Sequence, residues 1–166
     1  MTTFVRCLLA TVGGLGLVLF AAGSMLPRDH VAQASRAFTA SPEQVFTAIT
    51  AFDRFPTWRS GVTRVDVDPS GNRYVEHGRD GAIPMKLLER VAPRRLVTEI
   101  DDPSLDFGGR WTMSVEAHSA GGSRLTITEH GFVPNPFFRV VAKYVFGHEM
   151  TMNTYLDDLA RHVEKP

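Results

Sequence analysis

The chain has 166 residues, 43% of them hydrophobic, and carries 18 Lys+Arg against 18 Asp+Glu. That is enough for one domain with a real core and too apolar for a disordered chain, while the charge balance gives no electrostatic footprint for nucleic acid. The single cysteine, Cys7, stands in an apolar N-terminal run, so the remainder forms neither an internal disulfide nor a thiolate metal cluster.

Residues 7–26, CLLATVGGLGLVLFAAGSML, carry no charge. Twenty helical residues at 1.5 Å each reach about 30 Å, the thickness of bilayer hydrocarbon, so the segment is expected to cross a membrane once. The alternative is a cleaved signal peptide, since Arg6 gives a basic start and Ala32-Gln33-Ala34 has the small-x-small pattern of a cleavage site. Two features oppose cleavage: the apolar run exceeds the roughly 7 to 15 residues of a signal core, and a cut after Ala34 would trim the start of the first strand. Arg6 and the free amino terminus favour a cytoplasmic N-terminus with the domain outside, a single-pass arrangement. After cleavage the product would instead be secreted or periplasmic. Residues 1–34 are thus read as anchor and short linker, the linker being Pro27 to Ala34, and residues 35–166 as the domain.

Ser41-Pro42-Glu43-Gln44 predicts a helix start, with Ser41 as N-cap, Pro42 at the first helical position and Gln44 as the capping-box partner. Val45, Phe46, Ile49 and Phe52 follow at helical spacing. Asp53 is placed to cap a second brief turn whose Phe55 and Trp58 close one end of the core. From Val62 to Phe132 short alternating segments are punctuated by turn residues such as Pro69-Ser70-Gly71-Asn72 and Gly121-Gly122. They predict six strands near residues 62–68, 72–79, 82–91, 95–101, 109–118 and 123–132, joined as an antiparallel meander. Ile83, Met85, Leu87 and Val91 share one face, as do Trp111, Met113 and Val115. Lys86, Arg90, Arg110, Thr112 and Glu116 face the other way, into water. Asn135-Pro136 opens a long helix whose apolar stripe, from Phe138 to Val163, must bury itself on the sheet, with Gly147 as a site for a kink. The order gives an α+β fold with helix on one face of the sheet.

That order and several motifs resemble the SRPBCC superfamily, with its START-like or helix-grip fold and its polyketide cyclase-like and lipid-transport members. The matching pieces are Ser41, Pro42, Glu43, Val45 and Phe46, then Pro56 and Trp58, FGGRWTMSVE from Phe107 to Glu116, GGSRLTITEHG from Gly121 to Gly131, NPFFR from Asn135 to Arg139 and TYLDDL from Thr154 to Leu159. The resemblance covers nearly all of residues 35–164. It implies a curved antiparallel sheet of about seven strands around a long C-terminal helix, with a deep apolar cavity between them for a lipid or other small hydrophobic ligand. Residues placed to line it are Phe46, Ile49, Trp58, Met85, Leu87, Trp111, Met113, Ile127, Glu129, Val141, Val145, Met152 and Tyr155. The fold does not choose between carrier and enzyme.

No phosphate loop and no G-x-S-x-G occurs, and the six histidines never take metal-ligand spacing, so neither cofactor nor metal is expected. Trp58, Trp111, Met85, Met113 and Met152 suit a cavity wall and ordinary core packing equally. Glu129 shares the parity of Leu125 and Ile127 and is expected to point to the apolar side, as an acid, a base or a polar anchor, or into water at the strand's open end. His130 is expected to face solvent. Tyr155 and His148 are further candidates for polar contacts in the cavity. Three functions remain open. The first is a membrane-anchored binding or transport protein without chemistry. The second is a cyclase or dehydratase in which Glu129 and Tyr155 carry protons. The third is a structural or assembly module with a filled core.

Overall fold

The computed structural model describes residues 14, 16–79, 81–119, 121–141, 143–144 and 149–164. Residues 16–25 are helical (α1). Residues 7–13 and 15 of the expected membrane span lie outside the described residues. No helix among the described residues is long and apolar enough to cross a membrane.

Seven strands follow: β1 (Asp29–Phe38), β2 (Val62–Val67), β3 (Arg73–Gly78), β4 (Gly81–Val91), β5 (Arg95–Ile100), β6 (Gly108–Ala117) and β7 (Ser123–Phe132). They form one sheet in the order β1-β7-β6-β5-β4-β3-β2, with antiparallel neighbours throughout. The meander is as the turn residues predicted. The stretch read as a linker is strand from Asp29 onward, paired along its whole length with β7, Asp29 opposite Phe132 and Phe38 opposite Ser123. Its inward residues include Ala32 and Ala34, and alanine is a weak strand former, which hid the alternation.

Helix α2 (Pro42–Thr50) and a 3₁₀ turn (Phe52–Thr57) connect β1 to β2, the two edges of the sheet. The capping box is present: the Gln44 amide donates to Ser41 Oγ at 3.3 Å and the Ser41 amide to Gln44 Oε1 at 2.9 Å. Asp53 does not cap the 3₁₀ turn; Ala51 holds that position without a side-chain bond, and Asp53 lies in the first turn. The single long helix expected from Asn135 is, among the described residues, two: α3 (Pro136–Val141) and α4 (Met150–Val163), with Glu149 in a turn. Gly147 lies outside the described residues.

Helices α2 and α4 pack on each other, α4 against β1 and α2 against β6 and β7. The core between the layers contains Val45, Ile49, Leu96, Val115, Leu125, Ile127, Met152 and Leu159, each at most 1% exposed. The opposite face is wet and charged: Lys86 and Arg110 both reach Glu99, and Arg73 and Lys86 reach Asp101. One expected assignment fails in β4. A bulge between Leu87 and Glu89 shifts the register, so Arg90 pairs with Leu96 and Val91 with Arg95. A bulge adds one residue and reverses the parity beyond it. Val91 therefore leaves the face of Met85 and Leu87 and is 43% exposed, while the Arg90 guanidinium lies 5.4 Å from the centre of the Phe52 ring.

Candidate functional site

Strand pairing sets one row of side chains across the concave face: Leu87 opposite Thr98, Thr98 opposite Trp111, Trp111 opposite Glu129, and Glu129 opposite Ala32. Glu129 thus points the way its parity predicts, into the helix-facing side, while His130 is exposed. The two adjacent residues diverge and cannot act as a pair.

The imidazole that Glu129 meets belongs to His30 on β1. His30 Nε2 lies 3.8 Å from Glu129 Oε1, and the two side chains are 16% and 21% exposed. His30 pairs with Gly131, where an added Cβ would come within 2.5 Å of the imidazole and 3.0 Å of Glu129 Oε1, so the missing side chain makes room for both groups. Burial lowers the His30 pKa, with the charge of Asp29 opposing it, so the ring favours its neutral form. A carboxylate beside a neutral imidazole is chemically competent to accept and relay a proton. Sequence reading missed His30 because its segment was taken as linker; the signal was its shared parity with Ala32 and Ala34.

A second polar cluster lies inside the other end of the fold. Arg59 pairs with Glu76, the side chains being 17% and 12% exposed. Its guanidinium lies 4.9 Å from the Phe55 ring centre and 5.0 Å from that of Tyr155. Tyr155 on α4 is ringed edge-on by Trp58 at 5.2 Å, Trp111 at 5.6 Å and Phe55 at 6.4 Å. Its hydroxyl and the Trp58 indole nitrogen are buried without a hydrogen-bond partner among the described residues. Tyr74, stacked on Phe52 at 4.1 Å, bonds Thr98 instead. Burial pushes the phenols of Tyr74 and Tyr155 far above their ordinary value, so both stay neutral donors. Tyr74 and Glu76 share a parity in RYVEHG, the signal that would have placed them inside.

Phe46, Ile49, Met113, Ile127, Met152 and Tyr155 are buried in the core, and Trp58, Met85, Leu87 and Trp111 pack partly buried against it. Val141 is 37% exposed. Val145 and His148 lie outside the described residues. An open cleft of about 620 Å³ runs between α2, the 3₁₀ turn and the end of α4, over Ala48, Ala51, Trp58 and His162. Of the expected cavity-lining residues that are described, only Trp58 borders it. Among the described residues no group of three or more His, Cys, Asp and Glu is arranged to hold a metal ion.

No curated protein matches the sequence. The fold matches a START superfamily protein from Mycobacterium smegmatis with a TM-score of 0.65 at 14% identity, over 81% of this chain and 97% of that one. It also matches norcoclaurine synthase from Thalictrum flavum with a TM-score of 0.67 at 10% identity, over 83% and 88%. A Mesorhizobium loti protein gives 0.64 at 18% identity, over 81% and 97%. At such identities these likenesses concern the fold alone. The model of one sequence family, polyketide cyclase / dehydrase and lipid transport, matches residues 29–164, from the first residue of β1 to the residue that follows α4. The chain therefore belongs to that family, within the START-like SRPBCC superfamily.

Proposed function

We propose that the protein is a membrane-anchored binding or transport protein for a lipid or other small hydrophobic molecule, held between the concave face of the sheet and the C-terminal helix. The observation that carries this reading is the incomplete cover of an apolar floor. Ile83, Met85, Leu87 and Trp111 all face the helix side, yet each remains only half-buried, because α2 and α4 lie over β1, β6 and β7. Apolar surface bared on a concave face is a place for apolar cargo. The family description, which includes lipid transport, supports the same reading.

Anchoring rests on the uncharged stretch at residues 7–26 and on the position of β1. Cleavage after Ala34 would remove Asp29 to Ala34 from a strand paired over its full length, which supports a retained segment with the domain outside a cytoplasmic N-terminus. Native mass spectrometry of the full chain, released from detergent micelles, is the test. A co-purified apolar molecule, lost in Trp111→Ala, is the expected result. Bare, folded protein in every preparation would defeat the reading and favour a structural module.

A second reading, a cyclase or dehydratase acting on a hydrophobic substrate, is favoured by the His30–Glu129 pair. Glu129 is the base and His30 positions it, with Tyr155 on the far side of Trp111 as a neutral donor. Deuterium exchange into the methylene of a hydrophobic 1,3-diketone, followed by NMR, reads proton abstraction directly. Equal exchange with the unaltered chain and with Glu129→Gln would remove this reading.

A further inference from the structure

Helix α1 is tied to α3 by three separate contacts. The rings of Phe20 and Phe137 have centroids 5.6 Å apart. Gly23 is buried against Pro136, where an added Cβ would fall 1.9 Å from the carbonyl oxygen, so only glycine permits the approach. Arg139 of α3 donates to the carbonyls of Gly23 at 3.4 Å and Leu26 at 3.3 Å, and to those of Val133 and Pro134 at 2.8 Å each. A guanidinium at the last carbonyls of a helix meets the negative end of its dipole. The junction is thus a fixed joint, unlike a free tether.

The chemistry of the joined surface is one-sided. Leu17 is 74% exposed, Val18 64%, Phe20 48%, Phe137 42%, Phe138 48% and Val141 37%. An apolar helix bare around nearly its whole circumference suits hydrocarbon, and α1 continues the uncharged stretch that begins at Cys7. No Asp or Glu occurs in residues 1–28 or 130–148, while Arg6, Arg28, Arg139 and Lys143 do. Exposed Asp29 and Glu149 stand at the ends of these stretches; within them cations border apolar side chains, which complements an anionic lipid surface. The same joint is close to the site: β1 begins three residues beyond Leu26, and the Val133 amide donates to the Arg28 carbonyl at 2.9 Å.

We propose that α1 and α3, locked by Arg139, form one lipid-docking unit that seats Phe137, Phe138 and Val141 in the headgroup boundary of an anionic bilayer. This holds the His30–Glu129 end of the concave face at the membrane. The proposal rests on the reading of residues 7–26 as a membrane anchor and adds that the domain's orientation on the membrane is fixed. A ligand then passes between lipid and floor without crossing water.

The full chain, with Cys7→Ser and Phe138→Cys, is labelled with bimane and placed in phosphatidylglycerol vesicles containing lipid with a nitroxide on the acyl chain. The control label is at Ser70→Cys, in the turn between β2 and β3 at the opposite edge of the sheet. Quenching several-fold stronger at position 138 than at 70 is expected. It should fall to the level of position 70 in Arg139→Ala and in Gly23→Val, while the chain still floats with the vesicles. Gly23 lies in α1, outside the sheet and the helices α2 and α4 packed on it, so that variant keeps the test intact where Arg139→Ala fails to fold. Equal quenching at both positions in a chain that floats overturns the docking and leaves the anchor standing; a chain that does not float overturns both. Disulfide-linked dimers through position 138 without lipid quenching mark the face as a protein interface, which also overturns the proposal.

Discussion

Tyr155 shows what a single polar atom reveals. A buried hydroxyl with no partner costs about 1–3 kcal/mol relative to the same ring without it. Tyr155→Phe is therefore expected to keep or raise stability, by up to about 1 kcal/mol in urea unfolding, while weakening any ligand whose oxygen needs the donor. A loss above about 2 kcal/mol would mean that the hydroxyl is bonded in the fold and is no ligand contact. His30 gives a prediction of opposite kind. Its folded pKa lies below the ordinary 6.5, so the unfolded chain binds more protons as acid is added. The stability that His30 contributes is thus present above pH 6.5 and lost as pH falls towards its folded value. Unfolding followed from neutral pH downward should show that loss, and His30→Gln should flatten it; an unchanged slope would place the imidazole in water. Glu129 was legible from strand parity alone, because parity is local. The inward direction of His30 lay in its parity with Ala32 and Ala34, but its meeting with Glu129 depends on β1 closing against β7 across ninety-odd residues, which no local pattern encodes.

Among the elements, the Ser41–Gln44 box and the hairpin turns stand where their residues predicted, because each is a contact between near neighbours, whereas the cap expected of Asp53 does not form. The β4 bulge was not visible in GAIPMKLLERV, where counting Leu88 as an ordinary outward residue leaves Ile83, Met85, Leu87 and Val91 in apparent alternation. Helix α4 carries a subtler signal. In TYLDDL, Asp158 falls three residues after Tyr155, on the stripe that also holds Leu159, and a carboxylate on a buried stripe needs partners. It is 4% exposed and accepts from the Ser60 amide at 2.7 Å and the Ser60 hydroxyl at 2.8 Å, with Arg161 as its counter-ion. It pins the loop carrying Trp58 and Arg59 to the helix carrying Tyr155, and so holds the inner polar cluster together. Asp158→Ala is expected to cost about 1.5–3 kcal/mol, because it removes the charged acceptor of both Ser60 donors. Asp157→Ala, next to it but in an exposed pair with Arg36, is expected to cost no more than about 1 kcal/mol. Equal effects of the two in chemical denaturation would refute the pinning role.

For the whole molecule, the decisive boundary is the start of β1, because the proposed anchor, the α1–α3 joint and the proposed ligand floor meet there. β1 is an edge strand whose inward residues Ala32, Ala34 and Phe38 close the core beside β7, and α4 packs on it. A chain starting at Ser35, the product of cleavage at the apparent signal site, keeps only the last four strand residues and leaves β7 from Ile127 to Phe132 as an open edge. Unpaired backbone along such an edge invites aggregation, and it bares Ile127, otherwise fully buried. That chain is expected to lose cooperative unfolding, whereas one starting at Pro27 keeps every strand and should fold. The comparison also tests cleavage after Ala34. If the chain from Ser35 folds as cooperatively as the chain from Pro27, the first half of β1 is dispensable and the structural objection to cleavage falls. If it does not, cleavage after Ala34 would destroy the fold it was meant to release, which supports a retained helix fixed against α3 by Arg139.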